Sequence, residues 1–289
     1  MAEKQLTLTF DLKPRAGEAI KPAELIQITG HHELTLNARR AITILWHSAH
    51  MQGIKEGRDY TVEIDDLKPD GHKGFEMVEE AVEALMRALI VIKLPDGKTR
   101  RVQFLGGNDM DDPDRPAGVM TYSFDKRLID LLQKSTIWGK IAIPVLMSFT
   151  SKYAISLYEN VAQLVNLDYK HSHKYTLEEF REMLGVPLEK YKTFGELNKH
   201  VIKPAVDEVN ALAPFGMTLQ PLKQGKKVTE IAIGWWQKDE EALNAAWEEI
   251  QRSRAGRRSR IMTIEHAPPI ASPNRLARKA RKRPTPKTS

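Results

Sequence analysis

The stretch YKTFGELNKHVIKPAVDEVNAL, residues 191–212, superimposes two patterns. Phe194, Leu197, Val201, Ala205, Val206 and Val209 recur at three- and four-residue intervals, the buried stripe of an α-helix expected from about Lys192 to Leu212. Lys192, Thr193, Asn198, Lys199, His200 and Lys203 gather in its first half, whereas Asp207 and Glu208 lie further along. A helix that enters the major groove needs that polarity, with donors near the end where base edges and phosphates are met. Asn and Thr can read bases and Lys can neutralise phosphate, but the same spacing also describes an ordinary solvated helix face. Pro204 lacks a backbone donor and is expected to bend the helix near its middle.

Downstream, MTLQPLK and KKVTEIAIGWW flank Gln224-Gly225 as a hairpin with Lys223, Lys226 and Lys227 around its tip. Upstream, Thr176 and Glu179 form a T-x-x-E capping box, Leu177, Phe180 and Leu184 an apolar face, and Gly185 the stop. Before these, Tyr153, Leu157, Val161 and Leu164 make a stripe capped by Thr150 or Ser151. Helices followed by a hairpin are the order of a winged helix, whose wing lies along the phosphate backbone. A charged tip is equally the usual solvated turn.

The first half repeats this architecture without repeating its residues. Ala38, Ala41, Ile42, Leu45, Trp46 and Ala49 form a helix between Thr35 and Gly53, TVEI at 61–64 a strand, and Phe75, Val78, Val82, Leu85 and Leu89 a second helix. IVIKL, the turn Pro95-Asp96-Gly97 and TRRVQF make a hairpin carrying Lys98, Arg100 and Arg101, with VMTYSF at 119–124 as a third strand. GGNDMDDPDRPAG is expected to be an exposed loop, and helical patterns resume at Leu128–Leu132 and from about Ile141. Glu76, Glu79, Glu80 and Glu83 would repel phosphate, so the second half is expected to do most of the base reading.

The expected organisation is an N-terminal arm at 1–23, a first winged helix at 24–149, and a second at 150–237 with the main DNA reading. A terminal helix at 238–252, with Ala242, Ala246, Trp247 and Ile250 inward, precedes a disordered Arg/Lys-rich tail at 253–289. The fold class is α+β, two tandem winged helices with a basic tail. Lys+Arg 44 against Asp+Glu 38 gives a formal net charge of +6. Residues 252–289 alone carry +11, which leaves the rest of the chain at −5, so the DNA reading rests on where the charges sit.

The runs Leu34-Thr35-Leu36-Asn37, Lys-Tyr-Ala-Ile-Ser-Leu-Tyr-Glu at 152–159 and Thr-Leu-Glu-Glu-Phe-Arg-Glu-Met-Leu-Gly-Val at 176–186 resemble the iteron-binding plasmid replication initiator (Rep) family. The likeness continues through Tyr191-Lys192-Thr193-Phe194, Val201-Ile202-Lys203-Pro204-Ala205-Val206 and Gly225-Lys226-Lys227-Val228-Thr229. It implies two winged helices, dimerisation through the first, and monomeric binding of direct repeats at a replication origin; the first domain's basic wing adds a secondary DNA contact. It also implies repression of the chain's own promoter by dimers, and contact with the host initiator and replicative helicase. Lys152, in a shared run, joins the DNA-contacting set. Many family members place a Lys-Arg pair at Asn198-Lys199-His200, so the DNA sequence does not carry over.

A repressor with no replication role is the alternative within DNA binding; an origin nickase is the enzymatic one. No enzyme activity, cofactor or metal is expected. The chain has no cysteine, which excludes disulfides, thiolate metal ligands and a cysteine nucleophile. His171-Ser172-His173 is read as part of a polar loop without a third ligand, His31-His32 is not a nickase motif, and no Gly-x-x-x-x-Gly-Lys-Ser/Thr phosphate loop is present. Tyr153, Tyr158, Trp235, Trp236 and Trp247 are expected to pack rather than stack on bases. No apolar run approaches the ~20 residues of a membrane span, and a cytoplasmic location is expected.

Overall fold

The computed structural model describes residues 15–27, 34–69, 74–93, 97–110, 118–133, 135, 138–165 and 171–261. The expected arm up to residue 14, the turn at Pro95-Asp96, the acidic loop over 111–117 and the tail beyond 261 lie outside the described residues.

The first winged helix is built on α2 (Leu36–Gln52), which follows the strand β1 (Glu18–Pro22) and the single turn α1 (Ala23–Ile26). Thr35 caps α2 by accepting from Ala38 N at 3.1 Å, and Gly53 ends it at φ 85°. Trp46 is the anchor: its ring lies 5.6 Å from that of Phe124 within a cluster that also holds Tyr60 and Tyr122. After β2 (Tyr60–Glu63), α3 (Glu76–Arg87) packs on α2 through Val78, Ala81, Val82 and Leu85. The wing is β3 (Leu89–Lys93) paired antiparallel with β4 (Thr99–Gln103), so Leu89, expected in the second helix, opens the strand instead.

Three expectations need correction here. Part of the acid-rich stretch read as a loop is a strand, β5 (Leu105–Met110), and VMTYSF, which is β6 (Val119–Phe124), sits between β2 and β5 instead of joining the wing. Gly106 and Gly107 concealed the strand, and the pairing has a reason for glycine: a Cβ at Gly106 would lie 3.3 Å from the Phe124 carbonyl oxygen. After α4 (Lys126–Leu132), the helix expected from Ile141 begins later. Trp138–Ala142 is a strand, β7, and α5 (Ile143–Ser148) starts with Pro144 in its first turn.

β7 pairs antiparallel with β1, so residues 18–22, within the span expected as an arm, are structured. Ala19, Ile20 and Ile141 are fully buried, and burying Ile20 alone stabilises by roughly 1.5–3 kcal/mol.

The second winged helix runs α6 (Lys152–Leu164), β8 (Ser172–Thr176), α7 (Leu177–Leu184), α8 (Phe194–Leu197), a π turn at Asn198–Ile202, α9 (Lys203–Leu212), β9 (Phe215–Gln224) and β10 (Lys227–Gln237). β10 lies between β8 and β9. The polar stretch at 171–173 is thus corrected from a loop: Ser172 and His173 pair with Gly234 and Ile233. Ser151 caps α6, and Tyr158 stacks on Phe215 at 5.6 Å and 7°.

A polar seam joins the halves. Lys21 Nζ donates to Glu159 Oε1 at 2.7 Å and lies 3.0 Å from Thr43 Oγ1, itself 3.0 Å from Glu159 Oε1. Arg39 donates to Ser156 Oγ and Arg40 to the Phe149 carbonyl. All of these side chains except that of Phe149 are polar groups in the interior; burial holds Lys21 below the ordinary lysine range and pushes Arg39 down to about 10.

The chain then folds back as a strap, α10 (Glu240–Gln251) and α11 (Arg257–Ile261). Residues 253–261, expected to be disordered, are therefore ordered. Their anchor is Arg257, 2% exposed, which donates to Ser148 O at 2.8 Å and to Glu249 Oε1 at 3.2 Å, while Arg260 adds a 2.7 Å bond to the same carboxylate. This geometry turns Ala246 and Glu249 inward and leaves Trp247, expected inside, 56% exposed. Hydrogen bonding from Arg260, reinforced by Arg257, holds the Glu249 carboxyl below the usual carboxylate range. The network therefore contributes its full stability above the unfolded pKa of about 4.3 and loses it as pH falls through the lower folded value. Glu249→Gln is expected to flatten the fall of the urea midpoint below about pH 4.3, and an acid limb identical to the wild type would show that the pair contributes nothing.

Candidate nucleic-acid interface

The helix that carries Asn198, Lys199 and His200 is presented by a turn that one side chain organises. Gly185 closes α7 in the left-handed region, at φ 69° and ψ 43°. Arg181, only 7% exposed, then donates to the carbonyls of Pro187 at 2.7 Å, Lys190 at 2.5 Å and Tyr191 at 3.0 Å, gathering the loop that leads into α8. Tyr191 sits at φ 50°, a conformation non-glycine residues rarely take, and its ring stacks on His200 at 5.9 Å and 17°. Arg181→Met is expected to destabilise the chain by about 2–3 kcal/mol, since three or more charged hydrogen bonds are lost and their carbonyls left in a tight loop. Arg181→Lys should rescue little, because an ammonium cannot span the same acceptors. Urea unfolding of both variants is the measurement, and full rescue by lysine would contradict the account.

Thr193 is the N-cap of α8 in a complete capping box: its Oγ1 accepts from Glu196 N at 3.2 Å and Glu196 Oε2 accepts from Thr193 N at 3.2 Å. The hydroxyl expected to read bases is thus engaged in starting the helix. From there α8, the π turn and α9 run on, and Leu197, Val201, Ala205 and Val209 are buried as their spacing predicts.

Pro204 acts through the π turn. A regular helix would set its ring against the carbonyl of residue 200; the turn immediately before it is widened, with Lys203 N donating to Asn198 O five residues back. Asn198, Lys199 and His200 ride on that widened turn, exposed, with Lys203 exposed just beyond it and Lys192 exposed before it. Asp207 and Glu208 are buried, so the two acids of this helix do not face outward with the lysines.

The second wing carries Lys223, Lys226 and Lys227, all exposed. Gln224 pairs with Lys227 across a two-residue turn in which Gly225 takes φ 63°, the positive value such turns require. At the wing's base Gly216 faces Trp236, whose ring covers the position a Cβ would need.

In the first domain Lys98 and Arg101 are exposed near the wing, but Arg100 turns onto α4, donating to Arg127 O at 2.9 Å and pairing with Asp130 at 3.5 Å. Glu76, Glu79, Glu80 and Glu83 line the exposed face of α3. Lys152 is half-buried at the start of α6, 3.3 Å from Leu34 O; burial, Arg39 and Lys190 lower its pKa to about 8.

The π turn, the Arg181 staple and the Tyr191–His200 stack had no counterpart in the sequence reading. The second capping box did have a signal, the T-x-x-E of Thr193 and Glu196. Among the described residues no group of three or more His, Asp or Glu side chains is arranged to hold a metal ion, and no helix is long and apolar enough to cross a membrane.

Comparison with known proteins gives two family matches. Residues 18–162 match the family described as Initiator Replication protein, WH1, and residues 176–235 match Initiator Rep protein, WH2. Among solved structures, the chain is similar to the Pi initiator protein in its crystal structure with iteron DNA, at 15% identity and a TM-score of 0.58, over 78% of this chain and 98% of that one. It also matches the crystal structure of the WH1 domain of MSBI1.176, a replication protein isolated from a multiple sclerosis patient. That match has 14% identity and a TM-score of 0.27, over 35% of this chain and 82% of the other. No curated protein matches by sequence.

Proposed function

This chain belongs to the initiator Rep protein family, and from that membership we propose that it starts plasmid replication by binding direct repeats in duplex DNA at an origin. The observation that carries the reading is the widened turn of the second domain, which sets Asn198, Lys199 and His200 on an exposed helix segment followed by exposed Lys203, in the domain that also carries a lysine-tipped wing. The Pi initiator protein, whose structure is with iteron DNA, supports the choice of repeats as the ligand.

In this reading Asn198 reads a base edge, and Lys192, Lys199, Lys203, Lys223, Lys226 and Lys227 neutralise phosphates, while the first wing makes a secondary contact through Lys98 and Arg101. The main reading falls to the second domain, because α3 of the first presents its acids outward. If both domains engage successive turns of the duplex, about 10 bp apart, each site spans about 20 bp. The monomer binds repeats, a homodimer formed through the first domain represses the chain's own promoter, and the host initiator and helicase are the further partners. The chemistry is binding, with no covalent step.

Asn198→Ala is expected to cost about 1–3 kcal/mol on the preferred duplex and to relax discrimination at one base pair, leaving random duplex nearly unaffected. Equal loss on both duplexes in an anisotropy titration would remove its base-reading role. The function itself is tested by supplying the chain in trans to a plasmid that carries the DNA flanking its gene and no other origin. Maintenance of that plasmid is the expected result, and its loss while promoter repression persists would leave a repressor.

A further inference from the structure

Between the reading helix and the strap lies a cavity of about 530 Å³ that joins parts of the chain far apart in sequence. Lys152 and Tyr153 line it from the start of α6, His200 and Pro204 from the reading helix, and Arg254, Arg257 and Arg258 from the strap. We infer that this cavity is a phosphate site, in which Arg258 and Arg254 of the strap, together with Lys152 and His200, hold a backbone phosphate of the same duplex that the π turn meets. The inference rests on the DNA reading above and extends it to a segment beyond residue 235, where the family match ends.

The charges around the cavity leave it short of anions. Its carboxylates, Asp207 and Glu208, are each 5% exposed, and Glu208 Oε1 already accepts from Thr150 N at 2.6 Å and Thr150 Oγ1 at 2.8 Å. Arg257 is committed to Ser148 O and Glu249, and Arg254 donates through Nη2 to Met147 O at 2.9 Å, which holds its guanidinium at the cavity wall. Arg258 is exposed on the next residue of α11. Lys152 is held in a setting that opposes its charge: burial, Arg39 and Lys190 all lower its pKa. An anion at this position would offset all three effects. Thr150 and Ser151, before α6, also face this space, but their donors already serve Glu208, so the phosphate is left to the strap's arginines, Lys152 and His200. His200 belongs to both the reading helix and the cavity, so a phosphate held here is a neighbour of the groove the helix enters.

The test uses the full chain and a duplex selected by the wild type from a randomised library. Arg258→Ala is expected to lower the slope of log affinity against log salt by about 0.9, to weaken binding roughly fivefold near 0.15 M salt, and to erase ethylation interference at one discrete phosphate. Arg258→Lys should keep most of the slope, and Arg87→Ala on α3 should leave all three readouts unchanged. An unaltered slope and interference pattern in Arg258→Ala would overturn the inference. So would inorganic phosphate that raises the Tm of the wild type but not of Arg258→Ala while the salt slope stays fixed, since the cavity would then hold a free anion. Failure of the wild type to enrich any sequence would instead strike the DNA reading itself and this inference with it.

Discussion

Reversing Lys199 and Lys203 together to glutamate is expected to lower affinity for duplex DNA by about 30-fold or more near 0.15 M salt. Each phosphate neutralised releases counterions and contributes a factor of roughly five at that ionic strength. Two are lost together, and the new carboxylates add repulsion. Both lysines are exposed, on and just after the π turn, so the fold should tolerate the change within about 0.5 kcal/mol. The salt slope should fall by about 1.8 in parallel. Unchanged affinity in a variant with a wild-type Tm would mean that this helix does not meet DNA.

Glu159→Leu is expected to destabilise the chain by about 3–5 kcal/mol, the largest single effect on folding. The variant leaves the Lys21 ammonium, 2% exposed, without its 2.7 Å partner and beside Arg39, at the seam between the two domains. A partner removed from a buried pair costs more than the pair itself contributes, because the remaining charge has no solvent. Lys21→Met combined with Glu159→Leu should therefore recover most of the loss. If urea unfolding showed the double variant to be as unstable as the single one, the damage would lie in packing and not in the stranded charge.

Elements whose cause is local were legible in the sequence. The stripes of α2, α3, α6 and α9, the box at Thr176 and Glu179, and the Gln224-Gly225 turn each announce themselves within a few residues, and the family resemblance ordered them into two winged helices. Strands defined by a distant partner were not. β1, β5, β7 and β8 are short, and they are ordered by pairing with residues 10 to more than 100 positions away. β8 did alternate, with His173 and Tyr175 half-buried and Ser172 and Lys174 exposed, but its polarity concealed the period.

The same distinction holds at the interface. Exposed lysines on a helix and a wing follow from spacing, and the capping by Thr193 carried a local signal in Glu196 three residues on, whereas the engagement of Arg100 with α4 depends on a three-dimensional partner. The π turn follows from Pro204 only when the helix is known to continue through it. Trp247 shows the limit of helical phase: its spacing from Ile250 suited a buried face, but the Arg257 and Arg260 bonds to Glu249 turned α10 the other way.

The most direct test of the DNA reading is a nuclease footprint on the DNA flanking the chain's own gene, over a range of protein and salt concentrations. The account predicts evenly spaced protection of about 20 bp over direct repeats, weakening as salt rises. Protection confined to an inverted repeat at the promoter, or no discrete protection at moderate salt, would contradict it.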